Sequence, residues 1–449
     1  MGRLVKALAT GRTRLSSLFS PIDPPTGWQW ANPALFVLGT IVMVLRVPAD
    51  TRFVLWAEDG NTFLAQAYDQ GGGSVFFAPY AGYMHLIPRV TAWIVRDTVD
   101  LPDSGIAMAL AAAAVTSLCL VGAFHWSRGW LSAPAAVVLW LATLLMPASA
   151  LELALNVADS HWWLMYAAFW ALLSRLRGPA SVAAASVAVV AAALSDPLTA
   201  VLVPLALIRA AGWTTKRDVI APVALLIGLA GQMLVVQGAS RSTAVAKLTI
   251  DELIHQAIVR LGFATVVGGE LGDRFAMAHP FRAAIVGAGV LIGILVASAV
   301  VVRRRPIAVI ALVHALVWYS LIEYLVWPNT RMPTEFGPLT WGQRYAFNAL
   351  LLLAVAVVAI ADAAATQRRA PVAGRILAGV IAVALLWPGI TQFQSSTYRR
   401  PTPTLDAQLP AAIEACRLDG SGMYSFVILP TELYTWPVAC SVILSTADG

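Results

Sequence analysis

The chain has 449 residues, 59% of them hydrophobic and only 12% charged, and its mean hydropathy is +0.74. A soluble domain carries about 25% charged residues and a single water-soluble core stops growing near roughly 250–300 residues, so the composition excludes a soluble globular protein and predicts an all-α polytopic membrane protein. The net charge of +6 is then a topology signal rather than a nucleic-acid footprint.

Residues 1–32 are polar and basic, with Arg3, Lys6, Arg12 and Arg14 before the first apolar run and no small-residue cleavage site after it, which predicts a cytoplasmic tail rather than a cleaved signal peptide. Apolar runs long enough to cross about 30 Å of hydrocarbon follow at 33–49, 104–124, 131–150, 161–174, 180–194, 198–211, 219–237, 282–302, 306–327, 345–365 and 376–393. These are about 11 transmembrane helices. The short pair 180–194 and 198–211 is broken at Ser195-Asp196-Pro197, the signature of a hairpin with a sunken polar tip.

With the amino terminus inside, Arg128, Arg175, Arg209, Lys216, Arg217, Arg303–Arg305, Arg368, Arg369 and Arg375 all fall on the cytoplasmic side, a positive-inside pattern. Of 24 acids, only Asp23, Asp218 and Asp362 share that side. The expected layout is a membrane domain over 33–393, containing a long first extracytoplasmic loop at 50–103 with short surface helices, and a small extracytoplasmic carboxy-terminal region at 394–449. The compartment is the outer side of a plasma (inner) membrane, where a disulfide is permitted. Cys416 and Cys440 flank a strand-like segment, Met423 to Pro430, and are either bonded or free thiols; Cys119 sits mid-span as packing.

The polar chemistry collects on the outer side. Glu58 and Asp59 follow directly on the first span. Adjacent carboxylates repel and resist desolvation, which suits a general base; the bland reading makes Asp59 or Asn61 the N-cap of a helix over Thr62–Gln70. The same loop runs through Tyr80, Tyr83, His85 and Arg89. Arg89 can hold a phosphate, or these residues form an interfacial belt. Glu152, Asn156 and Asp159 share one face if their segment is helical, next to His161, Trp162 and Trp163. Paired tryptophans are either a sugar-stacking platform or belt residues. Late in the chain, Arg331, Arg344 and Tyr345 stand at span mouths, where an arginine needs an anion; Glu323 and Glu335 are candidate partners.

There is no phosphate loop, dinucleotide fingerprint, zinc-protease helix or serine elbow, and the six histidines are scattered. No cytoplasmic part is large enough for a nucleotide sugar, so any donor arrives from the membrane or the outer compartment.

The acidic pair after the first span, the long first outer loop, about eleven spans, Arg344-Tyr345 at a late span mouth and a small outer carboxy-terminal region resemble the GT-C superfamily of integral-membrane glycosyltransferases. The resemblance implies a polyprenyl-phosphate-linked sugar donor, a glycan, glycolipid or protein acceptor of the cell envelope, and an inverting displacement. It implies a first-loop carboxylate as base, Asp59 first and Glu58 second, with donor phosphate held by Arg89, His85, Arg344 or Arg331. Tyr80, Tyr83, Glu152, Asn156, Asp159, His161, Trp162, Trp163 and Tyr345 would line the substrates. No cofactor is required, although Glu58 and Asp59 together suit a divalent ion. Arabinofuranose and mannose are the sugars considered. Two other readings compete: a transporter or lipid-linked-glycan flippase, and a surface-glycan polymerase or ligase built on outer-loop arginines.

Overall fold

A computed structural model describes residues 31–447 except 71–72, 177, 237–247, 331–338, 341, 368–369, 396, 398, 420–421 and 432. Each of the eleven apolar runs contains helix, though not over its full expected length. The first is α1 (Ala31–Leu45). A π-helical turn, Asp59–Leu64, then leads into α2 (Ala65–Gln70), and a 3-10 turn precedes α3 (Leu86–Thr98). There follow α4 (Ser104–Ser127), α5 (Ala133–Leu144), α6 (Ser160–Leu173), α7 (Pro179–Ser195), α8 (Val203–Ala211) and α9 (Ile220–Val236). Short helices α10 (Ile250–Ala257), α11 (Ala264–Val267) and α12 (Glu270–Ala278) precede the long α13 (Pro280–Val301), α14 (Pro306–Thr330), α15 (Arg344–Ala365) and α16 (Pro371–Thr391). The chain ends in α17 (Leu405–Asp419), an antiparallel pair β1 (Met423–Val427) and β2 (Thr435–Ala439), and α18 (Cys440–Ala447).

Among the described residues, six helical segments are long and apolar enough to cross a membrane: Leu101–Ser127, Lys216–Val236, Pro280–Val301, Pro306–Val326, Arg344–Ala365 and Pro371–Thr391. α1, α5, α7 and the segment Pro197–Ala211 are shorter apolar helices. Helices α6 and α15 are apolar all round and buried along nearly their whole length, the pattern of central helices. By contrast α13 and α16 turn Ile285, Val296, Val383 and Trp387 outward, as lipid-facing helices do, because lipid is as apolar as the side chains.

A second core lies at the end of the bundle that carries the first loop. It joins Leu55, Phe63 and Leu64 of that loop to Leu405, Ala412, Phe426, Trp436 and Ile443 of the carboxy-terminal region. Each large apolar side chain buried there contributes about 1.5–3 kcal/mol. The strand-like segment anticipated at Met423 is β1, and beyond it the Leu429 amide donates to the Leu55 carbonyl at 2.9 Å. Asn61 Nδ2 donates to the Thr435 carbonyl at 2.8 Å, so the first loop and the tail form one unit. The sulfurs of Cys416 and Cys440 are bonded, closing a separation of 24 residues between α17 and α18. Loop-closure entropy for such a separation is about 3 kcal/mol. The double Cys→Ser variant is therefore expected to lower the thermal midpoint of purified protein, and an unchanged midpoint would show that the tail unfolds independently of that core.

Candidate active site

The first loop is anchored by its own acid. Asp59 is buried, and its carboxylate caps nothing on the helix it begins. Instead Oδ2 accepts from the Val157 amide at 2.9 Å and Oδ1 from the Ala158 amide at 2.8 Å. Neither Asp59 nor Asn61 acts as the anticipated N-cap; both reach across to other segments. Among the described residues, three non-glycines take left-handed backbone angles, Ala57 (φ 31°), Ala81 (φ 49°) and Leu155 (φ 58°). Such strain clusters where the surrounding structure over-determines a functional geometry.

The segment carrying Glu152, Asn156 and Asp159 is not one helix. A π-helical turn, Ser149–Leu153, ends in extended Ala154 and left-handed Leu155, so the shared helix face is replaced by a tight turn. That turn still gathers the residues: Asn156 Nδ2 donates to Asp159 Oδ2 at 2.9 Å. Glu152 pairs with Arg344 at 2.7 Å; of the two partners expected for that arginine, Glu323 pairs with Arg260 at 3.4 Å and Glu335 lies outside the described residues. Arg344 lies over the Tyr345 ring, 5.1 Å from its centroid, and its side chain remains 34% exposed.

Glu58, partly exposed, accepts from the Tyr80 hydroxyl at 3.4 Å. Burial raises the Asp159 carboxyl well above its usual range; Arg344 opposes this, while Glu152, Glu58 and Asp59 add to it. Four carboxylates and one guanidinium thus sit in one cluster around Asp159. Arg399, in a segment not singled out from the sequence, is buried over the Trp56 ring at 4.6 Å and donates to the carbonyls of Leu151 and Ala154 at 3.2 and 2.7 Å. It fixes the rim of the acidic turn.

Behind the acids is an aromatic wall. Tyr83 stacks on His85 with centroids 4.1 Å apart, Tyr80 meets the same ring edge-on at 5.4 Å, and His161 lies 6.4 Å away. Burial holds His85 well below the usual histidine range, and His161 and Arg89 add to that. His161 Nδ1 contacts the Ala158 carbonyl at 2.9 Å and Nε2 lies 3.3 Å from Asp196 of the broken helix pair. Trp162 and Trp163 are buried, against Tyr345 and Phe347 respectively, so they support the wall as core and offer no open face to a sugar. Arg89 is buried beneath the loop, with Nη1 donating to Gln66 and to the Val75 carbonyl. The structure therefore brings together Glu58, Asp59, Tyr80, Tyr83, His85, Glu152, Asn156, Asp159, His161, Arg344 and Tyr345, and sets Arg89 apart under the loop. Arg331 lies outside the described residues.

No protein-family model and no curated protein matches the chain. Two solved structures are similar to it, both of ArnT from Cupriavidus metallidurans. The structure bound to undecaprenyl phosphate is 14% identical, with a TM-score of 0.43, over 87% of this chain and 80% of that one. The apo structure is 15% identical, with a TM-score of 0.34, over 93% of this chain and 99% of that one.

Among the described residues, no group of three or more His, Cys, Asp or Glu is arranged to hold a metal ion, and the two oxygens of Asp59 are already engaged by amides. Arg399 and Tyr434 went unnoticed in the sequence. Arg399 lies six residues past the last apolar run, and Tyr434, whose hydroxyl is shifted upward by burial and then by Glu58, is brought in only by the tail folding back on the first loop.

Burial pushes the Asp59 carboxyl up to about 7, against the two amides, which lower it. In the unfolded chain it ionises near 4, so between pH 4 and 7 the native state binds the extra proton and stability falls as pH rises. Asp59→Asn is expected to flatten this dependence while lowering the midpoint at every pH, since its amide nitrogen cannot accept the second N–H. Thermal unfolding at pH 5 and pH 8 tests both; an unchanged slope in the variant would remove Asp59 as its source.

Proposed function

We propose that the chain is a membrane glycosyltransferase that moves a sugar from a polyprenyl-phosphate donor to an acceptor on the outer side of the membrane, with inversion and with Glu58 as the base. One observation carries this reading: of the four gathered carboxylates, Asp59 is held by two amides, Glu152 by Arg344 and Asp159 by Asn156, while Glu58 is partly exposed, with the Tyr80 hydroxyl at 3.4 Å and Tyr434 nearby. A base must reach the proton it takes, which favours Glu58 over Asp59 and makes Asp59 a positioning residue.

In the proposed step, the acceptor hydroxyl gives its proton to Glu58 as its oxygen bonds to the anomeric carbon. The bond from that carbon to the phosphate oxygen breaks, and polyprenyl phosphate leaves with the electron pair. A phosphate of low pKa needs charge stabilisation rather than a proton. Arg344 has donors beyond the one on Glu152 and is accessible. A cavity of about 780 Å³ between α4, α6 and α7, lined by Ile87, Leu118, Leu164, Val187 and Ala191, offers room for an isoprenoid tail. Leu164 and Ala191 lie about one helical turn from His161 and Ser195, so the tail would end beside the aromatic wall.

Purified protein in lipid nanodiscs, given polyprenyl-phosphate arabinofuranose or mannose labelled in the sugar, tests the reading: release of polyprenyl phosphate that depends on Glu58 is expected. A transporter reading is favoured by one feature, the buried His161 and Asp196 pair within the bundle, because intramembrane acids mark transport paths as well as active sites. It predicts donor translocation without cleavage.

A further inference from the structure

Two cavities take no part in the chemistry above. The first, of about 160 Å³, is lined by Leu151, Glu270, Arg274, Gln392, Gln394 and Ser395. The second, of about 260 Å³, is apolar, lined by Val266, Val290, Gly293, Ile294, Val357 and Leu385. Both are framed by the α11–α12 segment and by α16. Leu385 and Gln392 are separated by seven residues, roughly 10 Å of helix, so the polar cavity sits at the end of the apolar one.

The polar cavity is built for hydroxyl groups. Burial raises the Glu270 carboxyl, but the hydroxyls of Ser395 and Thr397 and the Thr397 amide outweigh it, and Glu270 stays ionised with Arg274 nearby. One acid and one base leave no charge preference, and the side chains of Gln392, Gln394 and Ser395 already donate to the Val267 carbonyl, the Leu45 carbonyl and Glu270, so what the lining glutamines offer is oxygens that accept, which suit the hydroxyl donors of a sugar. An independent observation points to a ligand: Gln343 is 4% exposed and, among the described residues, its Oε1 has no hydrogen-bond partner. The point where a Cβ would stand on Gly269, in the cavity wall, is 3.7 Å from that oxygen and 3.7 Å from Gln392 Oε1. A buried acceptor left unpaired is costly, and a hydroxyl donor in this cavity would satisfy it.

We propose that the two cavities form one site for a second membrane-borne substrate, a lipid whose neutral, hydroxyl-rich head fills the polar cavity and whose tail enters the apolar one. The inference rests on the transferase reading and names its acceptor class as a glycolipid. Gln343 adjoins Arg344, and Leu151 adjoins Glu152, so donor and acceptor flank a single turn.

Native mass spectrometry of the full chain, titrated with monoglucosyl diacylglycerol, diacylglycerol and phosphatidylglycerol, tests this directly. The glycolipid is expected to bind at least tenfold more tightly than either other lipid. Gly293→Phe fills the apolar cavity, and a Cβ at Gly293 meets nothing within 4 Å, so the variant is expected to fold and to lose that preference. Gln392→Ala should lose it from the head side. Equal binding of the three lipids, as for adventitious annular lipid, or full glycolipid affinity in Gly293→Phe, overturns the proposal. Binding that depends on Gly293 in a protein that cleaves no donor sinks the transferase reading and keeps the lipid site; Glu58-dependent cleavage without glycolipid preference does the reverse.

Discussion

Replacing Glu58 by Gln is expected to lower the rate of sugar transfer by roughly 10²–10⁴-fold, the contribution of a positioned general base, with donor affinity unchanged. Gln keeps the size of the side chain and can still accept from the Tyr80 hydroxyl, which contacts Glu58 at 3.4 Å, so folding is spared and the loss falls on proton transfer. Single-turnover release of polyprenyl phosphate, with donor binding measured on the same preparation, separates the two. Asp59→Asn is the contrasting variant, because its oxygens hold the amides of Val157 and Ala158. It is expected to lower stability and activity together. Full transfer by Glu58→Gln with loss confined to Asp59→Asn would return the base to Asp59.

Arg344→Ala is expected to weaken donor binding by about 2 kcal/mol, or roughly 30-fold, and to slow transfer further, since the same cation would stabilise the departing phosphate. Arg344 sits over Tyr345 and donates to Glu152 at 2.7 Å; its planar fork can serve the carboxylate and a phosphate together. Lysine carries the charge without the fork, so Arg344→Lys should recover part of the affinity. Glu152→Gln provides the control, because it disrupts the pair while leaving the arginine. Donor affinity that falls equally in Glu152→Gln and Arg344→Ala would assign Arg344 a structural role alone.

The spans were legible because a membrane helix announces itself by a long apolar run, and α15 and α4 begin within a few residues of the runs that predict them. Glu58 and Asp59 stood out because adjacent acids are rare in so apolar a chain. Their division of labour was not legible, since it depends on the turn after Ser149–Leu153 presenting the amides of Val157 and Ala158 to Asp59, a meeting across about a hundred residues. Nor did hydropathy distinguish Trp162 and Trp163, buried against neighbouring rings, from tryptophans at an interface. Tyr434 reaches the site through the tail folding back on the first loop, by the Leu429–Leu55 and Asn61–Thr435 bonds and by packing on Trp56 and Leu429, which no local pattern encodes.

The proposed reaction breaks the bond between a sugar and a polyprenyl phosphate with Glu58 as base. The measurement that bears on it most directly follows polyprenyl-phosphate arabinofuranose and mannose, labelled in both lipid and sugar, in proteoliposomes containing the protein or its Glu58→Gln variant. Separation of the two labels by the native protein and their retention together in the variant is the predicted result; intact donor moved between leaflets at equal rates by both proteins would contradict it.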